Sequence, residues 1–308
     1  MLKTILLAGA ALALLTGAAS AKELKSVGVT LGSLGNPYFV ALGKGATDMA
    51  HQINPNAKVN VLSADYDLGK QFSQIDSFIS AGVDVILVNA ADPRAIAPAI
   101  KRAEAAGIAV IGVDVAAAGA DATVQTNNVQ AGEIACQYMA DKIGKKGDVI
   151  IENGPQVSAV IDRVNGCKDT LKKYPDIKVL SSDQDGKGSR EGGMAAMEGY
   201  LTRFQTIAGV FTINDPQAVG SDLAAKQLNR SNIVIVSVDG APDIVNALKS
   251  STQVQASASQ DPYSMGKLAI QTGYDILNGK KPAEAMILMP SKLVTRDNVG
   301  DYPGWTGK

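Results

Sequence analysis

Short apolar runs rich in valine and isoleucine recur along the chain, and most of them end on an amide or a carboxylate. VDVILVNAAD carries Asn89, AVIGVD ends at Asp114, GVFTIND ends at Asn214 and Asp215, and IVIVSVDG carries Asp239. Apolar runs of this length, separated by helical stretches, predict strands buried on both faces of a parallel sheet. Strands are expected over 27–31, 59–63, 83–88, 110–113 and 123–125, then over 148–151, 179–182, 209–213, 233–238 and 254–257. The first helix follows Asn36, a candidate cap, with Pro37 in its first turn and Phe39, Leu42, Ala46, Met49 and Ile53 recurring at intervals of three and four. Further helices are expected over 68–81, 95–107, 131–143, 158–174, 189–204, 216–228 and 262–278. The alternation predicts an α/β chain of two Rossmann-like lobes with parallel sheets, not an eightfold barrel. No Pro-, Ser- or charge-rich linker divides the halves near Thr126, so a hinge and a cleft are expected.

In open α/β sheets, ligands bind in the crevice outside the carboxyl ends of the strands. Polar groups at those ends therefore predict a binding site. Asp114 and Asp239 would accept hydrogen bonds from hydroxyls, Arg163 would donate, and Asn36, Asn89, Asn214 and Gln260 can do both. Tyr38 and Phe39 offer an apolar face for the C–H surface of a ligand. Each has a plainer reading: Asn36 as a helix cap, Asn89, Asp114, Asn214 and Asp239 as caps of following loops or helices, Arg163 as a surface ion-pair partner, Gln260 as a strand residue, Tyr38 and Phe39 as core.

Composition narrows the function. The net charge of −1 over 308 residues carries no basic excess for nucleic acid. At the N-terminus, Lys3, the apolar run from Ile5 to Leu15 and Ala19-Ser20-Ala21 follow the pattern of a signal peptide cleaved after Ala21. That run falls short of the ~20 residues a membrane span needs. Export would put Cys136 and Cys167 in an oxidising compartment, where a disulfide between two neighbouring helices is expected, two buried thiols being the alternative. A single pair without CxxC offers no redox or metal site.

Enzyme signatures are missing. His51, the sole histidine, lies off the apolar stripe of its helix, and no GxSxG, HExxH or Walker A motif occurs. Gly186-Lys187-Gly188-Ser189 precedes a helix and has backbone N–H groups for an anion, but it does not sit in a GxGxxG unit. Neither a catalytic residue nor a cofactor is expected.

Ordered motifs over the whole mature chain carry a resemblance to the type I periplasmic sugar-binding proteins of ABC transporters, the ribose-binding-protein-like family. They are Gly-Asn-Pro-Tyr-Phe at 35–39, Val-Asn-Ala-Ala-Asp at 88–92, Val-Asp at 113–114, Thr-Asn-Asn at 126–128, Arg163 with Gly166, Asn214-Asp215, Val-Asp-Gly at 238–240 and Gln260-Asp261-Pro262. The resemblance implies three hinge crossings, near Thr126, Gln260-Asp261 and Met289-Pro290. One lobe would comprise 22–126 plus 261–289 and the other 127–260 plus 290–308. It implies a monomeric solute-binding protein of the periplasm that delivers a sugar or polyol to an ABC permease and its ATPase. The alternative is a sensor presenting a sugar-derived signal to a chemoreceptor or kinase. A two-lobed transcription regulator would carry a helix-turn-helix where this chain has its signal sequence. Two departures bear on the ligand: Val115 follows Asp114 where many relatives have arginine, and segment 183–188 lacks the relatives' large aromatic.

Overall fold

The computed structural model describes residues 21–305; residues 1–20 of the expected signal peptide lie outside the described residues. Two six-stranded sheets carry the chain. The first contains β1 (Ser26–Leu31), β2 (Lys58–Ser63), β3 (Val85–Val88), β4 (Ala109–Val113), β5 (Ala122–Thr126) and β11 (Met286–Met289), in the order β11-β5-β4-β3-β1-β2. The second contains β6 (Gly147–Glu152), β7 (Ile177–Ser181), β8 (Gly209–Thr212), β9 (Val234–Asp239), β10 (Val254–Ser259) and β12 (Lys292–Thr295), in the order β12-β10-β9-β8-β6-β7. All pairings are parallel except β10 with β12. This is the expected architecture, with ten strands near their expected positions.

The apolar runs work because alternate side chains feed two cores. In β6, Val149 and Ile151 enter one cluster and Ile150 the other; in β3, Val85 and Leu87 divide from Ile86 and Val88 in the same way. Each such fully buried aliphatic side chain is worth about 1.5–3 kcal/mol. Helices α1 (Pro37–Ile53), α2 (Leu68–Ser80), α3 (Ala97–Ala105) and α9 (Pro262–Leu277) cover the first sheet. Helices α4 (Asn128–Lys142), α5 (Ser158–Leu171), α6 (Arg190–Arg203), α7 (Asp215–Gln227) and α8 (Pro242–Lys249) cover the second. The chain passes from one sheet to the other between β5 and α4, between β10 and α9, and between β11 and β12.

Three elements were not expected. Strands β11 and β12 have four residues each, lie at the sheet edges and flank Pro290. Helix α8 has eight residues, barely two turns, with only Ile244 and Leu248 buried. Helix α4 begins three residues before its expected start, because Asn127 caps it by accepting from the Gln130 N–H at 3.1 Å. Such a cap contributes about 1 kcal/mol.

Reciprocal glycines set the helix spacing. A Cβ on Gly132 of α4 would lie 2.0 Å from the Arg163 carbonyl oxygen on α5, and one on Gly166 of α5 would lie 2.1 Å from that of Val129. Gly45 and Gly266 do the same between α1 and α9, at 2.0 and 2.1 Å from the carbonyl oxygens of Tyr263 and Leu42. The disulfide Cys136–Cys167, with Cα atoms 5.2 Å apart, fastens α4 to α5, as expected for this pair.

Gly132→Ala should therefore force two backbones apart and destabilise the protein by about 1–3 kcal/mol despite the better helix propensity of alanine. Gly199→Ala, on an exposed helical site with open space around it, should instead stabilise by about 0.4–1 kcal/mol. Urea melts of the two variants should move in opposite directions.

Candidate functional site

The carboxyl ends of both sheets face one cavity of about 630 Å³, and all nine residues expected to bind line it. From the first sheet's side come Asn36, Tyr38 and Phe39 at the start of α1, Asn89 after β3 and Asp114 after β4. From the second come Arg163 on α5, Asn214 before α7, Asp239 at the end of β9 and Gln260 after β10. Parallel strands interleaved with helices leave loops and helix N-termini at this edge, which is why residues distant in sequence meet there.

Two buried carboxylates and one guanidinium form the floor. Asp114 accepts from the Tyr38 hydroxyl at 2.8 Å and from Asn89 Nδ2 at 3.0 Å. Asp239 accepts from Gln260 Nε2 at 2.7 Å, and Arg163 Nη1 stands 3.6 Å from the same carboxylate oxygen. Arg163 is fixed from behind: Nε donates to Asn128 Oδ1 at 2.9 Å and Nη1 to the Ile213 carbonyl at 2.8 Å. Its Nη2 carries no protein hydrogen bond among the described residues, and the side chain is only 6% exposed. Gln260 in turn accepts from Thr126 Oγ1 at 2.7 Å, tying the end of β5 to the second sheet.

Burial raises the carboxyl of Asp114, opposed by Arg163 and by the bonds from Tyr38 and Asn89. It pushes Asp239 up to about 6, with Arg163 and Gln260 opposing. Asp215 sits directly behind, accepting from Ser237 and Ser257 Oγ and from the Ala241 N–H, and burial with the neighbouring Asp239 charge holds it far above the usual carboxylate range. Asp114 and Asp239 also have positive φ, +66° and +140°, conformations that cost roughly 1–3 kcal/mol and gather at functional sites.

The plainer readings describe part of the set. Asn36 caps α1 by accepting from the Tyr38 N–H at 3.0 Å and also lines the cavity. Asn214 caps α7 through Oδ1 and donates Nδ2 to the Gly188 carbonyl at 2.9 Å, so both ends of its amide are engaged. Tyr38 and Phe39 are each only 4% exposed and meet edge to face with centroids 5.3 Å apart. The Tyr38 hydroxyl is a hydrogen-bonding partner of Asp114 as much as the ring is a wall.

Other lining residues escaped the sequence reading. Tyr66, in the loop after β2, is 54% exposed and puts its ring 6.3 Å from Phe39. An aromatic three residues past the expected strand over 59–63 was the available signal, but that run ends on Ser63 and Ala64 with no amide or carboxylate to mark a site. Lys187 and Gly188 line the opposite rim. Their N–H groups are engaged internally, Lys187 to Asp185 Oδ1 at 2.7 Å and Gly188 to Gln217 Oε1 at 2.8 Å, so segment 186–189 offers no ready anion cradle. Gln217 also donates to the buried Glu152 at 2.8 Å, which anchors this rim to β6. Val115 is buried and apolar where it borders the cavity.

Known proteins share this arrangement. A family model described as a periplasmic binding protein domain matches residues 27–281. The ribose import binding protein of Bacillus subtilis is 34% identical over 89% of this chain and 88% of its own. The xylitol-binding protein of Mycolicibacterium smegmatis is 32% identical over 91% and 80%. Among solved structures, a periplasmic solute-binding protein of an ABC transporter from Actinobacillus succinogenes, with bound D-allose, superposes with a TM-score of 0.84 at 26% identity, covering 90% of this chain and 100% of its own. With two parallel sheets facing one polar cleft and a family match over most of its length, the chain belongs to the periplasmic binding protein domain family.

Proposed function

We propose that this protein captures a sugar or polyol in the cleft between its two sheets and delivers it to an ABC import permease. The observation that carries this is the convergence of the buried side chains of Asp114, Asp239 and Arg163 on one cleft, with amides that both donate and accept beside them. Hydroxyls donate and accept too, so a polyhydroxylated ligand satisfies every member of such a set at once. Relatives point the same way: they include binding proteins for ribose, xylitol and D-apiose, and solved structures with bound D-allose and glycerol. The proposed lobes, 22–126 plus 261–289 and 127–260 plus 290–308, close about the three crossings, exclude water and strengthen the bonds to ligand. Tyr66 and Phe39 supply the apolar wall. Export with cleavage after Ala21 belongs to the same reading, and no described helix is long and apolar enough to cross a membrane.

Thermal melts of residues 22–308 with D-ribose, xylitol, D-apiose, D-allose and glycerol test the proposal. A ligand at a hundred times its Kd adds about 2.7 kcal/mol, a rise of roughly 4–5 °C for a chain of this size. No shift with any of them, in protein freed of carried-over ligand, counts against it.

Asp114→Ala should weaken binding by about 2–5 kcal/mol in calorimetry while the melting temperature stays within a few degrees, since the lost charge was itself destabilised by burial. Arg163→Ala should lower both affinity and melting temperature, because it leaves the Asp239 carboxylate buried without its cation.

The pH dependence should run in opposite directions for binding and for stability. The ionised Asp239 is the better acceptor, so affinity should hold above pH 7 and fall by up to tenfold per pH unit below about 6. In the ligand-free protein its folded pKa lies above the unfolded value of about 3.9. Its contribution to stability is therefore fully present below that value and lost as pH rises through about 6. Calorimetric Kd and urea melts between pH 4 and 8 check the two signs.

A further inference from the structure

Trp305 lies beyond the residues the family model matches, near the C-terminus, yet its indole reaches the floor of the cleft. The tail leaves β12 on the second sheet's side, where the Tyr302 hydroxyl donates to the Gly240 carbonyl at 3.1 Å. Trp305 then turns into the first sheet's core, 7% exposed, with its ring edge to face with Tyr38 at 5.5 Å. Its Nε1–H is shared between the carbonyls of Asp239 and Gln260, 3.1 Å to each. Those two residues carry adjacent side chains of the site, and their backbones are already joined by the Gln260 N–H to the Asp239 carbonyl at 2.8 Å. The Gln260 carbonyl has no other donor among the described residues.

We infer that Trp305 is a positioning residue of the binding site. One indole holds the backbone of two proposed ligand residues from the second sheet and braces the ring of a third, Tyr38, from the first. The strained φ of +140° at Asp239 makes the need concrete: that carboxylate keeps its aim only if its backbone is over-determined. Trp305 contacts three members of the site from behind and is absent from the cavity lining, so it acts through them and not on the ligand. The inference rests on the proposed function insofar as it concerns affinity.

The chain has one tryptophan, so its indole N–H gives one resonance in a 15N-labelled sample. That proton should exchange with solvent at least a hundredfold more slowly than in free tryptophan. Trp305→Phe keeps a ring against Tyr38 but removes the donor. In ligand-free protein the variant should move the amide resonances of Tyr38, Asp239 and Gln260 and lower the melting temperature by only a few degrees. For whichever of D-ribose and xylitol the wild-type protein binds, Kd should rise at least tenfold. Indole exchange at the free rate, unmoved amides, or wild-type affinity in the variant would each overturn the inference. If neither compound stabilises wild-type protein, the proposed function loses support, while the exchange and amide measurements still decide the role of Trp305.

Discussion

A single guanidinium stands among buried carboxyls at the base of the cleft, and the placement of Arg163 constrains everything around it. A buried charge is tolerated only when paired and hydrogen-bonded, and here Arg163 opposes the burial of both Asp114 and Asp239. Its own position is fixed three times over: by Asn128 and the Ile213 carbonyl at the guanidinium, by the contact of its backbone with Gly132, and by the disulfide one helical turn further along α5. The tight α4–α5 pair is in this sense a mount for one charge. Loosening it would misplace Arg163 and leave Asp239 without compensation.

The same logic explains why the site is slightly unstable by construction. Raising Asp239 from its usual range to about 6 stores on the order of 3 kcal/mol against the ligand-free fold at neutral pH. Positive φ at Asp114 and Asp239 adds backbone strain. The positive φ places both carboxylates beyond the ends of β4 and β9 at the cavity, where the proposed ligand would meet them. The compensation lies in the two alternating cores, in Asn89 and Tyr38 on Asp114, and in Gln260 and Trp305 behind Asp239.

Much of this was legible along the chain because fully buried strands need unbroken apolar runs and parallel topology sends each run's end to the same edge. Asn89, Asp114 and Asp239 could be found by that rule alone. Asn214 illustrates its limit: the same position suits a cap and a ligand contact, and the structure has its amide engaged at both ends. Strands β11 and β12 were hidden by shortness and edge position, and α8 by its eight residues. Trp305 was illegible for a different reason. Its partners, Tyr38, Asp239 and Gln260, are remote in sequence, and no local pattern encodes a return of the tail to the hinge.

The walls of the cleft differ in kind. Tyr66 and Phe39 offer aromatic surface from the first sheet's side, whereas the facing rim at Lys187 and Gly188 presents backbone and a cation, and Val115 adds an apolar contact. Under the proposed function, a ligand would stack on one face and be read by hydrogen bonds on the other. Selectivity would then come chiefly from the hydroxyl pattern, not from a ring clamped on both sides. A ligand lacking a hydroxyl opposite Asp114 or Asp239 would forgo one charge-assisted hydrogen bond, a loss of about 1.5–3 kcal/mol. A change of ring size that preserves those hydroxyls would cost less, because one open wall can accommodate it.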